Sequence, residues 1–167
     1  MITLVVAAAL LMQSDHSADA LQLLARRGAD STLIERVRRE PDAAREALRQ
    51  LLVAASRGDP LAPAERLASA FAIAWGDSFH LRQVARFQQL SPGARSAKIA
   101  ADSVRRAGNE ALGSRGIAVA LRTWRQSLRR FEVLNDSAGI AAALGNIGAG
   151  FYRAARFDSA EVYLTHA

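Results

Sequence analysis

The stretch "GIAAALGNIGAGFYRAARFDSAEVYLTHA", residues 139–167, decides how the chain is read. Its first half carries four glycines, and Gly145, Gly148 and Gly150 spell G-x-x-G-x-G. A phosphate-cradling loop needs a strand before the glycines, a helix N-terminus after them and a lysine or acidic partner at a set distance. The flanks here are Ala- and Leu-rich with no β-branched run, and no G-K-[ST] occurs in the chain. The glycines are therefore not read as a phosphate loop, and inside a helix each would cost about 1 kcal/mol relative to alanine. A small residue inside a helix is explained when another helix must come close. Gly148 is read in that way, and Gly145 and Gly150 as the wall of a groove approached by a ligand backbone.

The spacing of the other residues repeats. Leu144, Ile147, Gly148, Phe151, Ala160 and Ala167 form one frame, with Phe157 opening the second half. Forty residues upstream, Val104, Ala107, Gly108, Ala111, Ala120, Trp124 and Ser127 hold the corresponding places in "SVRRAGNEALGSRGIAVALRTWRQSLRRF". Self-similarity at a fixed period marks stacked supersecondary units. Ala120, Leu121, Trp124, Leu128 and Phe131 keep one apolar stripe, which predicts a single helix from about Ile117 to Leu134.

These offsets resemble the tetratricopeptide repeat family. The period of forty exceeds the family's usual 34 residues, and the long second helix is similar to those of kinesin light chain and of bacterial tandem arrays. The resemblance covers residues 101 to 167 and departs at Leu164, where an aromatic is commoner and Tyr163 stands beside it. It implies an all-α fold in which antiparallel helical hairpins stack as a right-handed α-solenoid, with a concave groove that takes a peptide or partner protein. Groove positions would include Arg105, Asn109, Asn146 and Arg153. "RRAGNEAL" also resembles the opening of chaperone-binding tetratricopeptide domains, where a basic residue and two asparagines clamp a terminal carboxylate. Arg105, Asn109 and Asn146 occupy those three places.

Outward from the repeats, helical stretches alternate with short breaks near Gly28, Glu40-Pro41, Gly58-Asp59-Pro60, Gly76-Asp77, Ser91-Pro92-Gly93, Gly113 to Gly116, Asp136 and Ala155-Arg156. Pro41 and Asp42 open a helix whose stripe is Ala44, Leu48, Leu51, Leu52 and Ala55, and Leu67, Phe71, Ala74 and Trp75 repeat the pattern. Connections this short join antiparallel neighbours. The expected organisation is a leader over residues 1–20, a helical region over 21–98 made of degenerate repeats or a cap, and two repeats over 99–167. The array is expected to continue past Ala167. The alternative is a regulatory or sensor arm for a catalytic or signalling domain lying there. An open end would leave Val162 and Leu164 uncovered, a route to self-association.

The leader reading rests on the apolar run Ile2 to Met12, too short to span a bilayer but suited to a secretory signal, with Ala18 and Ala20 as small residues before a cleavage at Leu21. Its n-region lacks Lys and Arg, and a buried first helix capped by Ser17 is the alternative. Cleavage implies a periplasmic or secreted protein with no span in the mature chain, and retention a cytoplasmic one.

Composition agrees with a helical protein: half of the 167 residues are hydrophobic and only 6% aromatic. The net charge is +6, yet 21 of the 22 basic residues are arginine, Lys98 being the exception. The arginines are interleaved with Glu35, Glu40, Glu46 and Asp102, as on solvated helix faces, with no stacking aromatics that would argue for nucleic acid. Cysteine is absent, and His16, His80 and His166 lie far apart and read as exposed helix or linker residues, so neither thiol chemistry nor a metal site is expected. "GDSFH", residues 76–80, pairs a serine with a histidine, but the two point to different sides of a helix, and Asp77 or Ser78 reads as an N-cap. No catalytic constellation and no cofactor motif emerge, so the expected role is that of an interaction scaffold, not an enzyme.

Overall fold

The structure, a computed structural model, describes residues 16–167, and the apolar run at 2–12 lies outside them. Every regular element among the described residues is an α-helix. Residues 16–27 form α1, followed by α2 (Asp30–Arg39), α3 (Pro41–Ser56), α4 (Ala62–Trp75), α5 (Phe79–Gln89), α6 (Pro92–Ser114), α7 (Ile117–Val133), α8 (Ser137–Arg153) and α9 (Phe157–Thr165). The helix ends coincide with the Gly, Pro and Asp breaks. Pro41 and Pro92 each occupy a first helical position, where a missing N–H costs nothing. Gly76 ends α4 at φ 67°, a left-handed conformation that a side chain would strain. None of these helices is long and apolar enough to cross a membrane.

The chain divides into two compact units, the first ending at Leu90 and the second running from Ser91 to Ala167. In the first, α4 packs against α2, α3 and α5. Its sequence "APAERLASAFAIAW" is almost wholly small or apolar, which lets it face three neighbours. Leu21 and Ala25 of α1, Leu33 and Val37 of α2, Leu48 and Leu51 of α3, and Leu67 and Phe71 of α4 share the core. Ala18 is buried with them, so the residues on both sides of Ala20 contribute. Trp75, expected to continue the Leu67–Phe71 stripe inward, is instead 56% exposed at the last position of α4. His80 also departs from expectation. It is half-buried, with its ring 4.4 Å from that of Phe71, whereas His16 and His166 are exposed.

The second unit is a run of four helices, α6 packing on α7, α7 on α8 and α8 on α9. Each contact seats a large side chain on a glycine. A Cβ on Gly108 would stand 2.5 Å from Trp124 Nε1, one on Gly139 2.5 Å from Phe131 Cε1, and one on Gly148 2.6 Å from Leu164 Cγ. Gly108 with Trp124 and Gly148 with Leu164 are the same pairing, forty residues apart, so Leu164 takes the place of the tryptophan. Tyr163 beside it stacks on Phe151 at 5.4 Å between ring centroids. Gly150 is not a groove wall: a Cβ there would meet Trp124, Leu121 and Ile117 within 3.3 Å. Only Gly145 of the four has open space beside it.

Polar contacts fasten the same unit. Ser127, fully buried, donates to the Ala101 carbonyl at 3.0 Å, joining α7 to α6. Lys98 donates to Asp136 at 2.6 Å and Asp102 at 3.3 Å while lying over the Phe131 ring, so the single lysine ties α6 to the start of α8. The arginines pair along helices as expected, Arg39 with Glu35, Arg36 with Glu40 and Arg49 with Glu46. The exposed Arg39–Glu35 pair is worth about 0–1 kcal/mol.

The glycines give a signed prediction. Gly145→Ala gains helix propensity without a clash and should raise unfolding stability by about 0.5–1 kcal/mol. Gly108→Ala and Gly139→Ala must displace buried aromatic rings and should lower it by about 1–3 kcal/mol. Urea unfolding of the three variants checks the order, and a stabilised Gly108→Ala would refute close packing at Trp124.

A second prediction concerns pH. Burial, opposed by the hydrogen bond with Gln83 and assisted by the Arg45 charge, holds the His80 imidazole below its ordinary range. The unfolded chain therefore binds the proton first as pH falls, and the stability tied to neutral His80 is complete above about 6.5 and lost below it. Thermal melts from pH 7.5 to 5.0 should show a loss in the native protein that is smaller in His80→Gln. Equal losses in both would remove His80 as the cause.

Candidate functional site

The inner side chains of α6 and α8 meet at an amide pair. Asn109, one turn after Arg105 on α6, accepts on Oδ1 from Asn146 Nδ2 of α8 at 3.0 Å. The same oxygen accepts from Trp124 Nε1 of α7 at 2.9 Å. Three helices thus converge on one carbonyl oxygen, and both its lone pairs are used. What remains is both N–H bonds of Asn109 together with the second N–H and the side-chain oxygen of Asn146. The indole N–H fixes which way the Asn109 amide faces, since an oxygen must be turned toward it.

The expected groove residues are therefore joined unequally. Asn109 and Asn146 are in contact. Arg105 lies one turn from Asn109, partly buried, with Nε 3.8 Å from Asp102 Oδ1, and that buried Nε has no hydrogen-bond partner. That loose contact leaves most of the guanidinium unspent. Arg153 is exposed at the end of α8, two turns or about 10 Å from Asn146 along the helix. Gly145, beside Asn146, leaves open the space that a side chain would fill.

Of the residues assigned to repeat packing, Gly108, Ala120, Trp124, Ile147, Gly148, Phe151 and Ala160 are buried, and Val104 and Leu144 are half-buried. Ala167 is exposed beyond α9, where no helix of the unit follows to cover it. Val162 and Leu164 are 57% and 48% exposed, so the outer face of α9 presents apolar surface even though Leu164 also touches Gly148. Among the described residues no three His, Cys, Asp or Glu side chains cluster as metal ligands would.

Sequence reasoning missed the part played by Trp124. Its place in the apolar stripe foretold burial, but an indole also carries one N–H that must find an acceptor inside. Asn109, fifteen residues earlier on the facing helix, was the signal. It follows that Asn109→Ala should cost about 1–3 kcal/mol by stranding that N–H, whereas Asn146→Ala should cost less than 1 kcal/mol. Chemical denaturation of both variants checks the asymmetry, and equal losses would mean that the indole bond contributes nothing.

No protein-family model, curated protein or solved structure matches the chain, so its functional reading is carried by its own residues and their packing.

Proposed function

We propose that residues 99–167 are two tetratricopeptide-like repeats, stacked in the manner of a right-handed α-solenoid, and that their inner face binds an extended peptide of a partner protein. The Asn109–Asn146 pair carries this reading. A peptide backbone offers alternating carbonyl oxygens and N–H groups, and the pair presents three donors and an acceptor, with Asn109 oriented by Trp124. A buried ligand amide left without such partners would lose affinity, so a fixed pair selects for backbone in register.

The charge of the partner follows from the same face. Arg105 is held only loosely by Asp102, and Arg153 adds a second cation farther along α8. A guanidinium with free donors binds a carboxylate through short charge-assisted bonds. The ligand is accordingly an acidic or carboxylate-ended segment, its backbone on the asparagines and its carboxylate toward Arg105. This is a binding role, requiring neither cofactor nor metal.

Isothermal titration with a set of acidic C-terminal peptides tests the proposal. Native protein should bind a subset of them, and Arg105→Ala and Asn146→Ala should each weaken binding about tenfold or more, roughly 1.4 kcal/mol. Amidating the peptide terminus should weaken the native protein and leave Arg105→Ala little changed. Binding indifferent to both substitutions and to amidation would overturn it.

A further inference from the structure

The first unit holds a cavity that plays no part in the amide pair or in the repeat reading. It opens where the first turn of α3, the last turn of α4 and the first turn of α5 come together, and it has a volume of about 180 Å³. Pro41, Arg45, Phe71, Trp75, Asp77 and His80 line it. We propose that this cavity binds a free amino acid with a single-ring aromatic side chain, the ring inside and the zwitterionic head group at the mouth.

Size sets the first limit. An apolar cavity of about 150 Å³ is enough to take up benzene, so this one admits one ring and little more. The walls set the second. Phe71 is buried, the His80 ring lies 4.4 Å from it at an interplanar angle of 50°, and Trp75 leaves more than half its surface open to solvent. Aromatic rings prefer tilted or offset neighbours at 4.5–7 Å between centroids, and three rings around one space offer such faces to a fourth. His80 Nδ1 is buried without a hydrogen-bond partner, and the imidazole's one hydrogen bond is with Gln83. Neutral imidazole also forms an uncharged wall, and burial favours that form.

The mouth supplies the third limit, and it selects the head group. Arg45 and Asp77 are both exposed there and carry opposite charges. Arg45 spends one N–H on Asp42 and retains others for a carboxylate. Asp77 accepts the Phe79 N–H on Oδ1 at 2.8 Å, which leaves Oδ2 for an ammonium group. A ligand bearing only a carboxylate would be attracted by Arg45 and repelled by Asp77. One bearing only an amine would meet the reverse. A zwitterion satisfies both, and an α-amino acid carries the two groups on one carbon next to its side chain.

Isothermal titration and saturation-transfer NMR on the full chain test this with L-phenylalanine as the probe. L-phenylalanine should bind at least tenfold more tightly than 3-phenylpropionate, 2-phenylethylamine or L-leucine, which lack the ammonium, the carboxylate and the ring. Arg45→Ala and Asp77→Ala, both at exposed positions, should each weaken L-phenylalanine about tenfold. Trp75→Ala should weaken it together with 3-phenylpropionate. L-phenylalanine binding no better than the three analogues, or binding unaffected in Arg45→Ala and Asp77→Ala, would overturn the assignment.

Discussion

Trp124 is the side chain on which the second unit depends. Its ring fills the notch left by Gly108 on α6, presses against Gly150 on α8, and gives its N–H to Asn109. Helices approach closely only where one side yields volume and the other supplies it, because protein interiors are packed to crystal-like density. A tryptophan facing two glycines meets that condition on two sides at once. The polar end of the same ring then orients the amides that the peptide-binding proposal uses. Packing and recognition are in this way linked through one residue, and a change that loosens the indole disturbs both.

The same logic distributes the glycines. Helix propensity alone would remove all of them from α8, at about 1 kcal/mol each. Gly139, Gly148 and Gly150 persist because Phe131, Leu164 and Trp124 occupy the volume where their side chains would be. Gly145 has no such occupant. Its presence beside Asn146 is a local penalty that the packing does not offset, and departures of this kind are expected where a sequence serves something other than stability.

Much of this was legible from the residues. Proline at the opening of α3 and α6, glycine after α4 and the Asp136 break gave helix ends because each has a conformational cause that acts locally. The forty-residue frame showed that Gly108 and Gly148 are equivalent, but not which side chain each receives, since that depends on how far one helix slides along the next. Gly150 was misread for this reason: its partners on α7 are about thirty residues away and no periodicity names them. Trp75 and His80 were misjudged at the other end, where α4 stops and the following turn carries His80 back against Phe71. The aromatic cavity arises from that turn and from α3, three segments whose meeting is tertiary. Asn109 and Asn146 were placed on the groove face by resemblance, yet their bond to each other and to Trp124 appeared only with the helices in place.

Lys98 has a consequence for anyone who handles the protein chemically. It is the single lysine among 22 basic residues, and its side chain is 15% exposed with the ammonium engaged by Asp102 and Asp136. Amine-directed reagents therefore have one side chain to attack, and that side chain is ion-paired and shielded by the fold. An acylating label added to the native chain should reach Lys98 only when α6 and the start of α8 part. The rate of that coupling is a clock for local opening of the second unit, built in by a composition that spends arginine everywhere else.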